Sequence, residues 1–507
     1  MQLERTKNAK RNILFGFIQK IIGMILPFLL RTVMIYVLGI QYLGINTLFA
    51  SILSVLSLAE LGFGSAMIYA MYKPIAEDDE KTICALLNFY KKCYRVIGLV
   101  ILAVGLVTTP FITYFIKDSS YPSDINIYVV YLISLVSTVI TYFLFAYKAS
   151  LLTAFQRTDV SSKIGIVVSV LQYAVQIVLL LIFKNYYIYL IVAPIFSVVT
   201  NLWTAYVVIR MYPEYRAEGK LSKELLDNIK DKVKSLFIYK IGNVVSNSVD
   251  NIVISAFLGV SMLAVYGNYY YIISALFGFL ALYYSSISGG LGNGIARDSV
   301  ENNYILFKKL FIIQIWMIGW MSICLLCLYQ PFMKIWVGDQ LLLPFGAVAC
   351  MAIYFYSWKI NDIVAIFKEA AGMWSQDRWR PLIASTFNLL LNVVLVQHIG
   401  IYGVIISTIA TELFFSTTWS CYVLFKYYFG KSIFEYYKTL FGYTAVTIGI
   451  AVLTYKVCSF IPYTGYFELV CKLMVCCIVP NIVYLAVFCF TKKDKIIIEM
   501  LRKVMRG

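Results

Sequence analysis

Long apolar runs, each closed by charges or turn residues, alternate with short polar segments along almost the whole chain of 507 residues. A bilayer-crossing helix needs about 20 apolar residues. Runs of that order fall at 12–38, 44–71, 95–116, 125–147, 162–183, 187–210, 235–258, 264–290, 308–330, 342–367, 380–398, 402–425, 439–460 and 466–490. The pattern predicts fourteen membrane helices. The longest polar interruption, YPEYRAEGKLSKELLDNIKDKVK at 212–234, lies between the sixth and seventh runs. The expected organisation is an N-terminal lobe over 1–211, a cytoplasmic linker over 212–234 and a C-terminal lobe over 235–430. Two further helices and a basic tail occupy 431–507. Within the linker, Leu221, Leu225, Ile229 and Val233 stand four apart with charges between them. That predicts an interfacial amphipathic helix over 221–234, with Ser222 as its N-cap.

Composition sharpens this picture. Hydrophobic residues make up 61% and charged residues 14%, where a soluble chain has about 45–50% and 25%. Mean hydropathy is +0.80. A soluble multidomain enzyme, a disordered chain and a collagen are all excluded. The net charge of +17 comes from 43 Lys and Arg against 26 Asp and Glu. With the N-terminus in the cytoplasm and the helices alternating, 34 of those cations fall on cytoplasmic segments. Lys117, Lys184 and Lys334 fall outside, and Lys20, Arg31, Lys240, Lys359, Lys456 and Lys472 fall within spans. The asymmetry supports an even number of crossings with both termini cytoplasmic. It also accounts for the basic charge without nucleic acid, some of these cations resting on anionic lipid headgroups. The basic start MQLERTKNAKR reads as the entry to a retained first helix, because Lys20 and Arg31 interrupt any signal-peptide core.

A repeat at an offset of 220 residues lays 36–56 over 256–276. Leu38-Gly39 matches Leu258-Gly259; Leu43, Ile52, Ser54 and Leu56 match Leu263, Ile272, Ser274 and Leu276. Six spans separate the copies, so both run in the same direction. Parallel six-helix lobes about a pseudo-two-fold axis along the membrane normal are expected, with a binding cavity between them near the midplane. Lys20 falls on Lys240, and Arg31 on Asn251, beside Asp250.

Charges at the bilayer centre cost about 2.5–3.5 kcal/mol each and usually face a bundle interior or water. The first span carries Gly16, Lys20, Gly23, Pro27 and Arg31 on one face. The seventh carries Lys240, Asn243, Asn247, Asp250 and Asn251 on one face. Two readings stay open and are compatible: a cationic cavity lining, or interhelical ion pairs such as Arg31 with Asp250 or Glu60. Lys359 and Asp362 are spaced for a pair on one helix. Glu60, Asp250, Asp362 and Glu412 are acids at depth that either bind H+ or Na+, as coupling sites would, or pair with Arg or Lys. Lys456 and Lys472 are expected to reach outward along the bilayer, and His398 to cap or be solvated at a helix end.

Catalytic constellations are absent. There is no P-loop, nucleophile elbow or HExxH, and GGLGNG at 289–294 ends a membrane span without a βα context. The eleven cysteines read as small apolar packing residues rather than a metal or disulfide framework. No catalytic role and no resident cofactor are expected.

Four segments resemble polysaccharide repeat-unit flippases of the Wzx type. They are SVLSLAELGFGSAMIYAMYKPIAEDDEKTI (54–83), SVDNIVISAFLGVSMLAVYGNYYYII (248–273), PFMKIWVGDQLLLP (331–344) and FKEAAGMWSQDRWRPLIASTFNLLLNVVLVQHIGIYGVIIST (367–408). That family shares a superfamily with multidrug exporters and peptidoglycan-precursor flippases. The resemblance implies an all-α bundle of about fourteen helices, two six-helix lobes around a cationic cavity plus two C-terminal helices. It implies transfer of an undecaprenyl-diphosphate-linked oligosaccharide from inner to outer leaflet of the bacterial cytoplasmic membrane. The product would feed capsule, O-antigen or exopolysaccharide assembly alongside a polysaccharide polymerase. Residues carried over are Arg31, Asp250, Asp377, Arg378 and Arg380. A diphosphate headgroup needs Arg or Lys donors, which Lys20, Arg31 and Lys240 would supply. Three alternatives remain at this point: an ion-coupled multidrug exporter, a lipid-linked peptidoglycan-precursor flippase and, least favoured, a membrane glycan polymerase.

Overall fold

The computed structural model describes residues 5–60, 62–117, 121–462 and 465–491. Every regular element among them is helical. The protein is a multi-pass helical membrane protein. Ten helices are long and apolar enough to cross a bilayer, or eleven when Ile127–Phe143 and Ala146–Ala154, bent by 51° at their junction, count as one. Large apolar side chains cover the exposed faces, among them Tyr114, Phe414, Phe460 and Phe490. A soluble protein does not tolerate so much contiguous apolar surface.

Four of the fourteen expected runs are not single long apolar helices, the run at 125–147 being the bent pair. The run at 44–71 divides into Ile40–Leu56, a short 3-10 turn Ser57–Glu60 and Phe63–Ala76. Gly62, in the left-handed region at φ 83°, makes the break. The run at 342–367 divides into Phe345–Lys359 and Asp362–Ala370. The run at 235–258 is the second half of Lys223–Leu258, one helix of 36 residues that starts in the polar segment. Ser222 caps it, accepting a hydrogen bond from the Leu225 amide at 3.3 Å.

The chain forms two compact units, 1–264 and 265–507. In the first, α1 (Arg5–Val37) lies along α7 (Thr158–Phe183), and α7 along α8 (Tyr186–Met211). Asn12 pins the first pair, donating to the Gln156 carbonyl at 3.0 Å and accepting from the Asp159 amide at 2.7 Å. α2 (Ile40–Leu56) packs on α9 (Lys223–Leu258) and α5 (Ile127–Phe143). α3 (Phe63–Ala76) packs on α4 (Glu80–Thr108), α6 (Ala149–Ala154) and α9. Gly44 lets α2 approach the chain just beyond α9: a Cβ there would stand 2.0 Å from the Val260 carbonyl oxygen.

The second unit takes in nearly all of α10 (Val260–Arg297). It centres on α11 (Val300–Val337), which packs against α12 (Phe345–Lys359), α18 (Phe434–Ser459) and α19 (Tyr466–Phe490). The last two helices are thus docked. Trp316 donates to Asn481 Oδ1 and Trp320 to the Cys476 carbonyl, both at 2.9 Å. α13 (Asp362–Ala370) and the single turn α14 (Trp374–Asp377) meet α17 (Thr418–Leu424). α15 (Arg380–Ile399) and α16 (Ile401–Ala410) form a tight hairpin through Gly400. A Cβ on Gly403 would lie 2.4 Å from the Leu395 carbonyl carbon.

Candidate binding and coupling residues

The break between α2 and α3 opens the first unit. A cavity of about 750 Å³ lies there, lined by Asn46, Ser54, Ser57, Glu60, Ser134 and Thr138 among others. Because the chain leaves the α-helix at Ser57–Glu60, the Glu60 side chain meets two neighbouring helices instead of its own. Tyr94 on α4 donates to Oε1 at 2.6 Å, and Tyr142 on α5 donates to Oε2 at 2.5 Å. Tyr90, one turn before Tyr94, donates in turn to the Tyr94 hydroxyl at 2.9 Å. Charge-assisted bonds of this kind are about twice as strong as neutral ones. Both carboxylate oxygens are therefore engaged, in a pocket otherwise rich in hydroxyls and one amide. Such a surface offers donors and acceptors to a polyhydroxyl ligand and one negative charge to a cation. Sequence reasoning singled out Glu60 but none of the three tyrosines; the i,i+4 spacing of Tyr90 and Tyr94 was the available signal.

The expected cationic stripe is described in part. Lys20 is exposed on α1. Arg31, about 16 Å further along the same helix axis, is partly exposed and within electrostatic reach of the Tyr189 hydroxyl on α8. Asp250 on α9 is buried. Asn251 donates to Ser51 on α2 at 2.9 Å, a contact between two helices of the first unit. The side chains of Lys240 and Asn247 lie outside the described residues.

In the second unit the predicted charges converge. Lys359 and Asp362 pair at 2.9 Å across the α12–α13 break, with the Lys359 ammonium 4.3 Å from the Phe277 ring centroid. The break frees backbone carbonyls, and the Gln314 amide of α11 donates to those of Lys359 and Ile360. This is how a broken helix survives at membrane depth. Glu412 sits where the helix after α16 widens to a π-helical turn, Thr411–Thr417. It accepts from Ser416 and is within electrostatic reach of Arg380, Asp362 and Lys359. π-Helical turns recur at functional sites.

The DRWRP residues divide by role. Asp377 is buried between Lys368, which donates to it and to Ser420, and Arg380, whose Nε reaches both carboxylate oxygens at 3.0 and 3.1 Å. Arg378 is exposed and rests 5.5 Å from the Trp379 ring. Lys368 is a member of this cluster that the sequence did not reveal. His398 is exposed in the last turn of α15. Lys472, expected to reach outward, bonds to Glu468 at 2.6 Å on its own helix. Glu468 is thus a further acid within the last apolar run.

No family model matches the chain, and no curated protein matches it. Solved structures do. The lipid II flippase MurJ in an inward closed conformation superposes with a TM-score of 0.64 at 15% identity, covering 94% of this chain and 98% of that one. An inward-facing multidrug resistance MATE transporter of the MOP superfamily gives 0.61 at 13%, covering 80% and 94%. A variant of the Vibrio cholerae MATE transporter VcmN gives 0.57 at 14%, covering 86% and 100%. The chain has the fold of MOP superfamily transporters.

Proposed function

We propose that the protein is a flippase for a diphosphate-linked oligosaccharide on an undecaprenyl carrier. It moves the repeat unit from the inner to the outer leaflet of the bacterial cytoplasmic membrane for surface polysaccharide assembly. The observation that carries this reading is the extent of the fold likeness to a lipid flippase. It takes in 94% of the chain, and the small remainder is shorter than the helix pair α18–α19. The four Wzx-like segments, spread from 54 to 408, support the choice of an oligosaccharide as cargo.

In this reading fourteen crossings, three of them broken, form two six-helix lobes and a C-terminal pair, with both termini cytoplasmic. The broken helices α2–α3 and α12–α13 place polar side chains at depth, and Gln314 takes up the carbonyls freed at the second break. Lys20, Arg31 and Lys240 bind the diphosphate, since guanidinium and ammonium donors are what an anion needs in a low-dielectric cavity. The hydroxyl-rich cavity beside Glu60 suits the glycan. Alternating access carries the headgroup across while the lipid tail stays in the bilayer. Glu60, Asp250, Asp362 and Glu412 are the groups through which H+ or Na+ would couple.

A lipid-linked peptidoglycan precursor is the second reading, favoured by the same likeness to the lipid II flippase. Lipid analysis of a deletion strain separates the two. Accumulation of a diphosphate-linked oligosaccharide repeat unit in the inner leaflet, with an intact wall, is expected. Accumulation of the peptidoglycan precursor with wall failure would move the assignment to the second reading.

A further inference from the structure

Three cysteines from three helices meet inside the second unit: Cys327 on α11, Cys458 on α18 and Cys476 on α19. Their sulfur atoms all lie within 4.8 Å of one another, and each residue is at most 4% exposed. Three sulfurs bound in a plane around one ion at about 2.3 Å stand about 4.0 Å apart, so the spacing needs little adjustment. Two polar residues stand one helical turn from members of the trio. Thr454, one turn before Cys458 on the same helix, is fully buried, and its hydroxyl has no hydrogen-bond partner among the described residues. The Lys472 ammonium, one turn before Cys476, is within electrostatic reach of the Cys458 sulfur. Purely apolar packing would require neither.

We propose that Cys327, Cys458 and Cys476 form a binding site for one soft monovalent cation, Cu(I) by its chemistry. Thiolate sulfur selects soft ions, while magnesium and calcium require oxygen. Zinc at a structural site is four-coordinate, and only three sulfurs converge here. On binding, the S–H bond of at least one thiol breaks and its proton leaves. Sulfur–copper bonds form, and no electron is transferred. One lost proton per Cu(I) leaves the site neutral. The bound ion joins α18 and α19 to α11, adding to the two tryptophan hydrogen bonds on the same interface. The proposal is independent of the transported substrate.

The test uses the full chain, reduced and free of oxygen in lipid nanodiscs, titrated with Cu(I) buffered by bicinchoninate. One tightly held equivalent per chain and a rise in Tm are expected. The triple variant Cys327→Ser, Cys458→Ser, Cys476→Ser should lose both, while Cys477→Ser with Cys489→Ser should keep both. An equivalent retained by the triple variant, or none bound by the unaltered protein, overturns the site. If the triple variant does not fold, Cys476→Ala alone carries the test: binding at least tenfold weaker is expected, and unchanged affinity overturns the proposal. A disulfide joining two of the three in metal-free protein isolated from cells would overturn it as well.

Discussion

Arg31 is the cation whose role can be divided most cleanly between binding and structure. It lies on α1, partly exposed, in a helix that also presents Lys20. If it binds the diphosphate, Arg31→Ala lowers surface-polysaccharide output while protein abundance holds, and Lys substitutes poorly for the planar fork. If it instead balances an acid, abundance falls and Asp250→Asn restores it. We expect the first pattern, read by membrane immunoblot beside polysaccharide output for single and double variants. Asp377 stands at the opposite extreme. It is buried with two cations on it, so Asp377→Asn leaves Lys368 and Arg380 inadequately paired. Breaking a buried ion cluster this way costs about 3–5 kcal/mol, so reduced abundance and a lower Tm are expected before any transport is measured. Tyr142→Phe removes one donor from Glu60. Loss of a hydrogen bond to a charged group costs about 1.5–3 kcal/mol, to be read as a drop in Tm in nanodiscs. The sequence made the Lys359–Asp362 pair legible from its three-residue spacing, although the expected single helix is broken between the two residues. It could not show Tyr142 on Glu60, 82 residues away, nor Lys368 on Asp377, because those contacts depend on how separate helices fold back. Cys458 joined no pattern in the sequence for the same reason.

Among the elements, hydropathy located nearly every helix yet missed the interruptions. Apolar residues continue on both sides of Gly62 and of Ile360–Asn361, so a sliding average reads straight through both. The first break falls at a left-handed glycine, and at the second Gln314 on α11 takes up the backbone carbonyls that the break frees. The four-apart apolar stripe of 221–233 did predict a helix and its cap. Its continuation without a break to Leu258 was not legible, because polar and apolar halves look like separate elements. Glycine contacts give the element-scale prediction. The α15–α16 hairpin closes over Gly403, where a Cβ would meet backbone that cannot move aside. Gly403→Val should destabilise by about 1–3 kcal/mol through overpacking. Gly290→Ala, where a Cβ meets nothing within 4 Å, should change Tm little.

The fold of the whole molecule was legible as a class, an all-helical multi-pass membrane protein, because composition and run length depend only on the bilayer as solvent. The cargo was not, since cavity shape arises from distant segments. Topology is open to a direct check: reporter tags at Arg5 and Lys503 should both register as cytoplasmic, and one found outside would reverse the charge argument. The cavity beside Glu60 carries one more consequence. At about 750 Å³ the cavity is large enough to hold many waters. A transport cycle that collapses this space must expel that water to bulk, so osmotic pressure becomes a thermodynamic variable of the cycle. Polymers too large to enter, such as high-molecular-weight dextran, would then favour the collapsed state at constant pH, ionic strength and membrane voltage.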